Sequence, residues 1–402
     1  MLAPMLPDPY RRLLGVRAVR QPLIGSVIGR LPIAALSLAT VLMIRHATGS
    51  FAVAGAVVAA FAIAGAISLP VQGRLIDRLG QTRVLLVGAT LNPIALVALG
   101  VAAQGGAAPL PLALLGALCG ATVPPLSSCM RTLWADLVPD SDLLISAYAL
   151  DAVLFEVGFI VGPLVTALLV TVASPAVAVL ANAAYTFTGA LIFALSRASR
   201  SWRSRPAISG WAGPLSSPGI VVLMLTELGF GVALGAMELS VTAFAIQHGS
   251  SSLAGVLIAV QAAASMAGGL WYGIRHRSAS AADRYPLLCF VIAIGFAPLL
   301  LATSILNAVP LMVLSGFAFA PATAVAYKLI EELAPQGTVT EASTWLITSV
   351  VTGVAVGNGV AGPLISGGHA HRGFAVAVAA ATLAWLVSAL GRGALRGAPV
   401  TA

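Results

Sequence analysis

Residues 73–83 read GRLIDRLGQTR, four charged side chains (Arg74, Asp77, Arg78 and Arg83) set between and beside two glycines, Gly73 and Gly80. Long apolar runs flank this knot, FAVAGAVVAAFAIAGAISLPV at 51–71 before it and a second run at 84–104 after it. A run of ~20 apolar residues is the length that crosses a bilayer as a helix. The knot therefore reads as a charged connection between two membrane spans. It sets the expectation for the rest of the chain.

The 402 residues are 59% hydrophobic and only 8% charged, with a mean hydropathy of +1.00. Soluble domains carry roughly 25% charged residues, so this composition excludes them. Strand barrels would alternate apolar and polar residues over short segments; the blocks here are long and continuous. Backbone groups left unpaired in hydrocarbon cost several kcal/mol each, which leaves helices. Twelve spans are expected, near 22–44, 51–71, 84–104, 109–132, 144–171, 176–196, 218–246, 253–274, 286–304, 308–330, 343–366 and 372–392. No cleavable signal peptide is expected, because the basic amino-terminal stretch leads into a full-length span.

The net charge of +8 does not point to nucleic acid, since the basic residues sit in short clusters between apolar blocks, as orientation signals do. Eighteen of the 21 Lys and Arg residues fall on one side of the expected topology, with Arg131 among them in the fourth-to-fifth turn. Arg45 and Arg372 fall on the other side, and Arg30 falls inside a span. This asymmetry places both termini in the cytoplasm of a multi-pass plasma-membrane protein. ADLVP at 135–139 matches EELAP at 331–335 with an offset of 196, Pro125 pairs with Pro321 at the same offset, and GPL recurs at 162–164 and 362–364. A duplicated half follows. The expected layout is a cytoplasmic segment (1–21), a six-helix bundle (22–196), a linker (197–215), a second six-helix bundle (216–392) and a cytoplasmic tail (393–402).

The knot resembles the loop-2–3 motif of the major facilitator superfamily, and the resemblance extends along the chain through twelve spans, related halves and a basic central linker. GFIVGPLVT at 158–166 looks like the glycine-proline antiporter motif of that family's exporters. GRLP (29–32), GAMELSVTAFA (235–245) and TEASTWL (340–346) resemble a group of actinobacterial permeases described as exporters, akin to drug–proton antiporters. The resemblance implies an all-α fold of two pseudo-symmetric six-helix bundles and a gating role for Gly73, Asp77 and Arg78. Asp77, near the start of a short loop helix, is expected to meet a helix amino terminus and nearby guanidinium groups. Gly80 permits a tight turn. Gln81 stands where the family usually has a basic residue, with Arg83 as the substitute. Gly158, Gly162 and Pro163 are expected to bring the fifth span close to a partner and bend it. Thr166 and Ala167 replace that motif's trailing glycines.

A charged side chain at mid-membrane costs ~2.5–3.5 kcal/mol on insertion scales, so each one needs a reason. Arg30 lies at a depth similar to Asp151 and Glu156, and a buried Arg–carboxylate pair is expected. Glu227 and Glu238 are eleven residues apart on one face of the seventh span, separated by ~16 Å along the axis. That span lines the central cavity in the family, so Glu238 is the first candidate for a proton carrier. Glu227 is the second, with snorkelling to the surface as its alternative. Tyr148, Phe230, Met237, Phe319 and Tyr327 are candidate cavity liners. Asn92, Asn182, Gln261 and Asn358 are expected to hydrogen-bond between helices.

Cys119, Cys129 and Cys289 lie in apolar segments without metal-like spacing, and inert buried thiols are expected. A pair of histidines (His369 and His371) without a nearby carboxylate or thiol is not read as a metal site. No phosphate-binding loop or catalytic triad appears, so no enzyme and no cofactor is expected beyond a proton gradient. Few hydroxyl or amide donors face the expected cavity, which suits a small amphipathic or lipophilic solute better than a sugar. The expected function is proton-coupled antiport of such a solute by a monomer in the lipid bilayer. Proton-coupled uptake of a metabolite, or a non-transporting sensor or scaffold, are the alternatives.

Overall fold

The structure is a computed structural model that describes residues 7–138, 140–204, 212–248, 252–274, 280–365 and 369–397. Among the described residues all regular structure is helical. The amino-terminal half begins with a short helix α1 (Asp8–Gly15), followed by α2 (Arg17–Arg30) and α3 (Pro32–Thr48). The latter two, broken at Leu31, make one span, and within α3 it also bends by 42° between Arg17–Ser37 and Ala39–Thr48. Then come α4 (Phe51–Leu79), α5 (Gln81–Gln104), the collinear pair α6 (Pro109–Ala121) and α7 (Leu126–Leu137), α8 (Ser141–Val172) and α9 (Pro175–Ala194). A short α10 (Arg197–Ser201) opens the linker. The second half holds α11 (Pro218–Gln247), α12 (Ser252–Gly273), α13 (Ala281–Phe296), the pair α14 (Ile305–Gly316) and α15 (Phe319–Leu333), α16 (Val339–Ile365), α17 (Ala370–Leu390) and a final turn α18 (Arg392–Leu395). Among the described residues eleven helical segments are long and apolar enough to cross a membrane, twelve when the broken first span is included.

Local chemistry sets many of these boundaries. Ser50, Ser174, Ser280 and Ser304 each accept a hydrogen bond from the backbone N–H three residues on, capping α4, α9, α13 and α14. Such caps contribute about 1 kcal/mol each. Proline occupies the first position of α6, α9 and α11, where its missing N–H has no intrahelical partner to lose. The duplicated motif closes matching helices: α7 ends at Leu137 and α15 at Leu333, 196 residues apart.

The helices form two bundles. In the first, α2 packs on α9 and α4 on α6; in the second, α11 packs on both α16 and α17. Two seams join the bundles, α4 against α16 and α8 against α12. Side chains such as Val87, Leu91 and Ile94 point outward from the bundles along α5, which is where lipid tails meet a membrane helix. Contact inside the bundles is close because small residues line it: a Cβ at Gly353 would press on Gly231 and the Leu228 carbonyl. With lipid as apolar as leucine, such backbone-to-backbone packing is what holds membrane helices together.

Two boundaries differ from the sequence expectation. The charged knot is not a loop: α4 continues through it to Leu79, and Gly80 alone (φ 88°) joins α4 to α5. Asp77 thus sits in the last turn of a span, because nothing in RLIDRL breaks a helix. Arg131 is not in the turn after the fourth span but 4% exposed within α7, since the chain continues helical past it to Leu137. The end of the molecule carrying the knot is called the knot end below. There α1 lies across the α8–α12 seam: the buried Tyr10 hydroxyl donates to the Leu270 carbonyl at 3.0 Å, and its ring end fills the space left by Gly273 beside Ala149.

Gly162 offers a direct test of this packing. A Cβ there would collide with the Leu31 carbonyl at the break in the first span. Gly162→Val should destabilise the protein by ~1–3 kcal/mol, the usual cost of overpacking. Thermal unfolding in detergent followed by size-exclusion chromatography should show the lower transition, and an unchanged transition would contradict the packing.

Candidate functional site

The knot ends up as a clasp between the halves. Asp77 Oδ2 accepts from the Glu341 backbone N–H at 2.9 Å, and Oδ1 accepts from that of Thr340 at 3.3 Å. These are first-turn donors of α16, so an acid on one bundle caps a helix of the other. An anion is favoured at that position by the unpaired N–H groups and by the helix dipole. Arg74 grips the same turn from about one helical turn earlier on α4, with Nε 2.9 Å from Glu341 Oε2 and Nη2 2.6 Å from Oε1. Gly73 makes room for this approach, since a Cβ there would lie 2.8 Å from the Glu341 Cα. Thr348 Oγ1 extends the seam by donating to the Ala66 carbonyl at 3.2 Å. Arg78 and Arg83 are exposed and form no ion pair among the described residues. Gln81 is buried and donates to the Cys129 carbonyl at 3.2 Å, so a basic residue there would bury an uncompensated charge.

Deeper in the protein, one carboxylate holds two guanidinium groups. Asp151 Oδ1 lies 2.8 Å from Arg30 Nη2, an ion pair without hydrogen-bond alignment, and Oδ2 accepts from Arg131 Nε at 2.8 Å. All three residues are less than 5% exposed. Arg131 also donates to the Tyr327 hydroxyl and lies over the Tyr327 ring, 3.6 Å from its centroid. Tyr327 is 196 positions after Arg131, so the two occupy equivalent places in the halves and meet where the halves face each other. Tyr148 adds a ring contact to Tyr327 at 6.3 Å between centroids. Thr132 and Thr340 share a hydroxyl contact of 3.2 Å across the same interface.

The other three intramembrane carboxylates form no ion pair with this cluster among the described residues. Glu156 accepts from Ser265 at 2.9 Å across the α8–α12 seam, and Ser265 in turn accepts from the Ala320 backbone N–H at 3.2 Å. Glu238 is half-buried on α11. Glu227 does not snorkel: it is buried and accepts from the Tyr285 hydroxyl at 2.9 Å, within reach of the Arg131 charge. Phe230 packs edge-on against Phe319 at 6.0 Å, and Phe319 also meets Phe296 at 5.8 Å. Met237 is fully buried among these helices.

On α8, Gly158 and Gly162 abut the carbonyls of Arg30 and Leu31. The glycine-proline stretch therefore lies against the break in the first span, about two to three turns along from Asp151. Thr166 receives a hydrogen bond from Asn182 at 3.1 Å, a contact no glycine could make. Asn92 donates to the Cys119 carbonyl at 2.8 Å and Gln261 to Ser315 at 3.4 Å, both between helices, whereas Asn358 is exposed. Three residues of the site escape a reading of spans alone: Arg74, Arg131 and Glu341. Arg131 sits beside an expected helix end and so passes for an orientation charge. Glu341 carries a weak signal, an acid in the first turn of a span.

The sequence profile of the Major Facilitator Superfamily matches residues 23–312. No curated protein matches the chain by sequence. Among solved structures, a bacterial homologue of the iron transporter ferroportin in an outward-facing state has a TM-score of 0.77 at 15% identity, covering 93% of this chain and 99% of that one. The human organic anion transporter TETRAN has a TM-score of 0.69 at 17% identity, covering 95% and 100%. The E. coli fucose:proton symporter has a TM-score of 0.71 at 13% identity, covering 93% and 99%. At these identities the likeness shows the fold, two six-helix bundles. The profile match shows more: this chain is a multi-pass membrane transporter, not an enzyme, and belongs to the major facilitator superfamily.

Proposed function

We propose that the protein is a proton-coupled antiporter that exports a small amphipathic or lipophilic organic solute by alternating access. The observation that carries the coupling is Glu156, a carboxylate of one bundle that accepts a hydrogen bond from Ser265 of the other at 2.9 Å, with Glu238 on α11 as the companion carboxylate. A carboxylate bonded across a seam holds its proton with a different affinity when the seam is shut than when it opens and the bond is lost. Proton binding and bundle position are then linked, as coupled transport requires. Arg131, held by Asp151, reaches Tyr327 of the opposite bundle, and Glu227 with Tyr285 is the second proton-binding candidate.

The knot is the gate on the cytoplasmic side. Arginine-rich connections at that end support this orientation, with both termini cytoplasmic in a plasma membrane. With Asp77 and Arg74 holding α16, that end is shut, and with the knot end cytoplasmic this reading makes the state one closed to the cytoplasm. Antiport is supported by the glycine-proline stretch of α8, which packs against the broken first span. A membrane potential adds ~2.3 kcal/mol per charge per 100 mV to such a cycle. A single chain suffices, since both bundles lie within it.

Two measurements test this reading. In inverted membrane vesicles energised to an acidic interior, the wild type should accumulate a lipophilic fluorescent cation such as ethidium. Glu238→Gln and Glu156→Gln should each lower the pH-driven component by at least about tenfold, equivalent to ~1.4 kcal/mol. Coupling that survives in both variants would end the assignment, and uptake driven by the opposite gradient would reverse the direction. For the gate, Asp77→Asn removes a charge-assisted cap contributing ~1.5–3 kcal/mol. Spin labels at Leu79 and Gln336, both exposed at the knot end, should then report a longer-distance population that the wild type lacks. Identical distance distributions would show that Asp77 does not hold the seam.

A further inference from the structure

A second cluster of charge lies at the knot end, outside the transport path. Leu79, Gly80, Thr82, Arg83, Arg200 and Arg203 line one pocket where the α4–α5 turn meets the start of the linker. Arg83 belongs to the first turn of α5, while Arg200 lies on α10 and Arg203 just beyond it. Arg203 Nη1 is held in place by the carbonyls of Trp202 at 2.7 Å and Arg200 at 3.0 Å. None of the 13 Asp and Glu residues of the chain forms an ion pair with these three arginines among the described residues. The α5 amino terminus, which opens into the same place, has no side-chain cap on its first N–H groups. Three guanidinium groups without a carboxylate, next to an uncapped helix start, form a receptor for an oxyanion.

The surface next to the pocket says which kind. Arg83 continues into Val87, Leu91 and Ile94, which are spaced along one face of α5 and are 58%, 46% and 59% exposed. Leu79, on the pocket rim, is 48% exposed. A free phosphate has no use for an apolar track, but a phospholipid with its headgroup in the pocket lays an acyl chain along it. We propose that the pocket formed by Arg83, Arg200 and Arg203 binds the phosphate headgroup of an anionic phospholipid, whose acyl chain lies over Val87, Leu91 and Ile94. The missing carboxylate makes the site selective, since the cationic head of a zwitterionic lipid meets only positive charge there. Because the pocket is shared by the α4–α5 turn and α10, the bound lipid ties the linker to the helix that carries Asp77.

The test uses the purified full-length protein in detergent and native mass spectrometry. Phosphatidylglycerol should be retained under conditions that strip phosphatidylcholine. The double variant Arg83→Gln/Arg203→Gln should weaken phosphatidylglycerol binding by about tenfold or more, whereas Arg372→Gln at the opposite end should leave it unchanged. Inorganic phosphate should not displace the lipid, because it cannot reproduce the acyl contact. Equal retention of the two lipids, or undiminished phosphatidylglycerol binding in the double variant, would overturn the proposal. Displacement by inorganic phosphate would overturn it too and show a free-phosphate site instead. If the double variant is not monodisperse, Arg200→Gln alone, an exposed side chain, supplies the same comparison.

Discussion

A charge buried within the bilayer must find its counter-charge inside the protein, and the central interface of this transporter is organised by that constraint. Asp151 answers it for two arginines at once, from three different helices of one bundle. Removing one partner from a buried pair costs ~3–5 kcal/mol, so the broken first span, α7 and α8 are held in one arrangement. The packing around the pair follows from it. Gly158 and Gly162 let the backbone of α8 reach the break in the first span, which keeps Arg30 close to Asp151. Arg131, fixed by Asp151, is free to offer its remaining donors and its flat face to Tyr327 in the opposite bundle.

The two seams between the bundles are closed by different chemistry. On the α4–α16 seam the contacts are ionic: Asp77 on a helix terminus and Arg74 on Glu341. On the α8–α12 seam they are neutral at the same end of the molecule, with Ser146 donating to the Gly273 carbonyl and Tyr10 to that of Leu270. The sequence is duplicated but the clasp is not. An ionic clasp responds to salt and to local charge, whereas hydroxyl-to-carbonyl contacts do not, so the α4–α16 seam is the one open to control by its surroundings.

Composition and hydropathy made the helical architecture legible, because a bilayer imposes a length and an apolar content that few other environments require. The offset of 196 exposed the duplication, and it joins Arg131 to Tyr327 as well as the two matched pentapeptides. The knot was legible as special, but its helical form was not. The reason is local: charged residues at the end of a span read as loop when only hydropathy is counted, although RLIDRL has no helix breaker. Arg131 was hidden by the same rule in reverse, since an arginine near a boundary looks like an orientation signal until its partner, Asp151, is known. Pairings such as Asp77 with the α16 terminus join residues more than 260 positions apart, and no local pattern encodes them.

The seat of Tyr10 has a consequence for biogenesis. The carbonyl it binds belongs to Leu270, 260 residues later in the chain, and the hollow it fills exists only because position 273 lacks a side chain. While the ribosome is still making the first bundle, α1 can rest on α8 and α2, but the acceptor of the Tyr10 hydroxyl has not been made. That one hydrogen bond closes only after the eighth span is in place, so its formation reports that the second bundle has met the first.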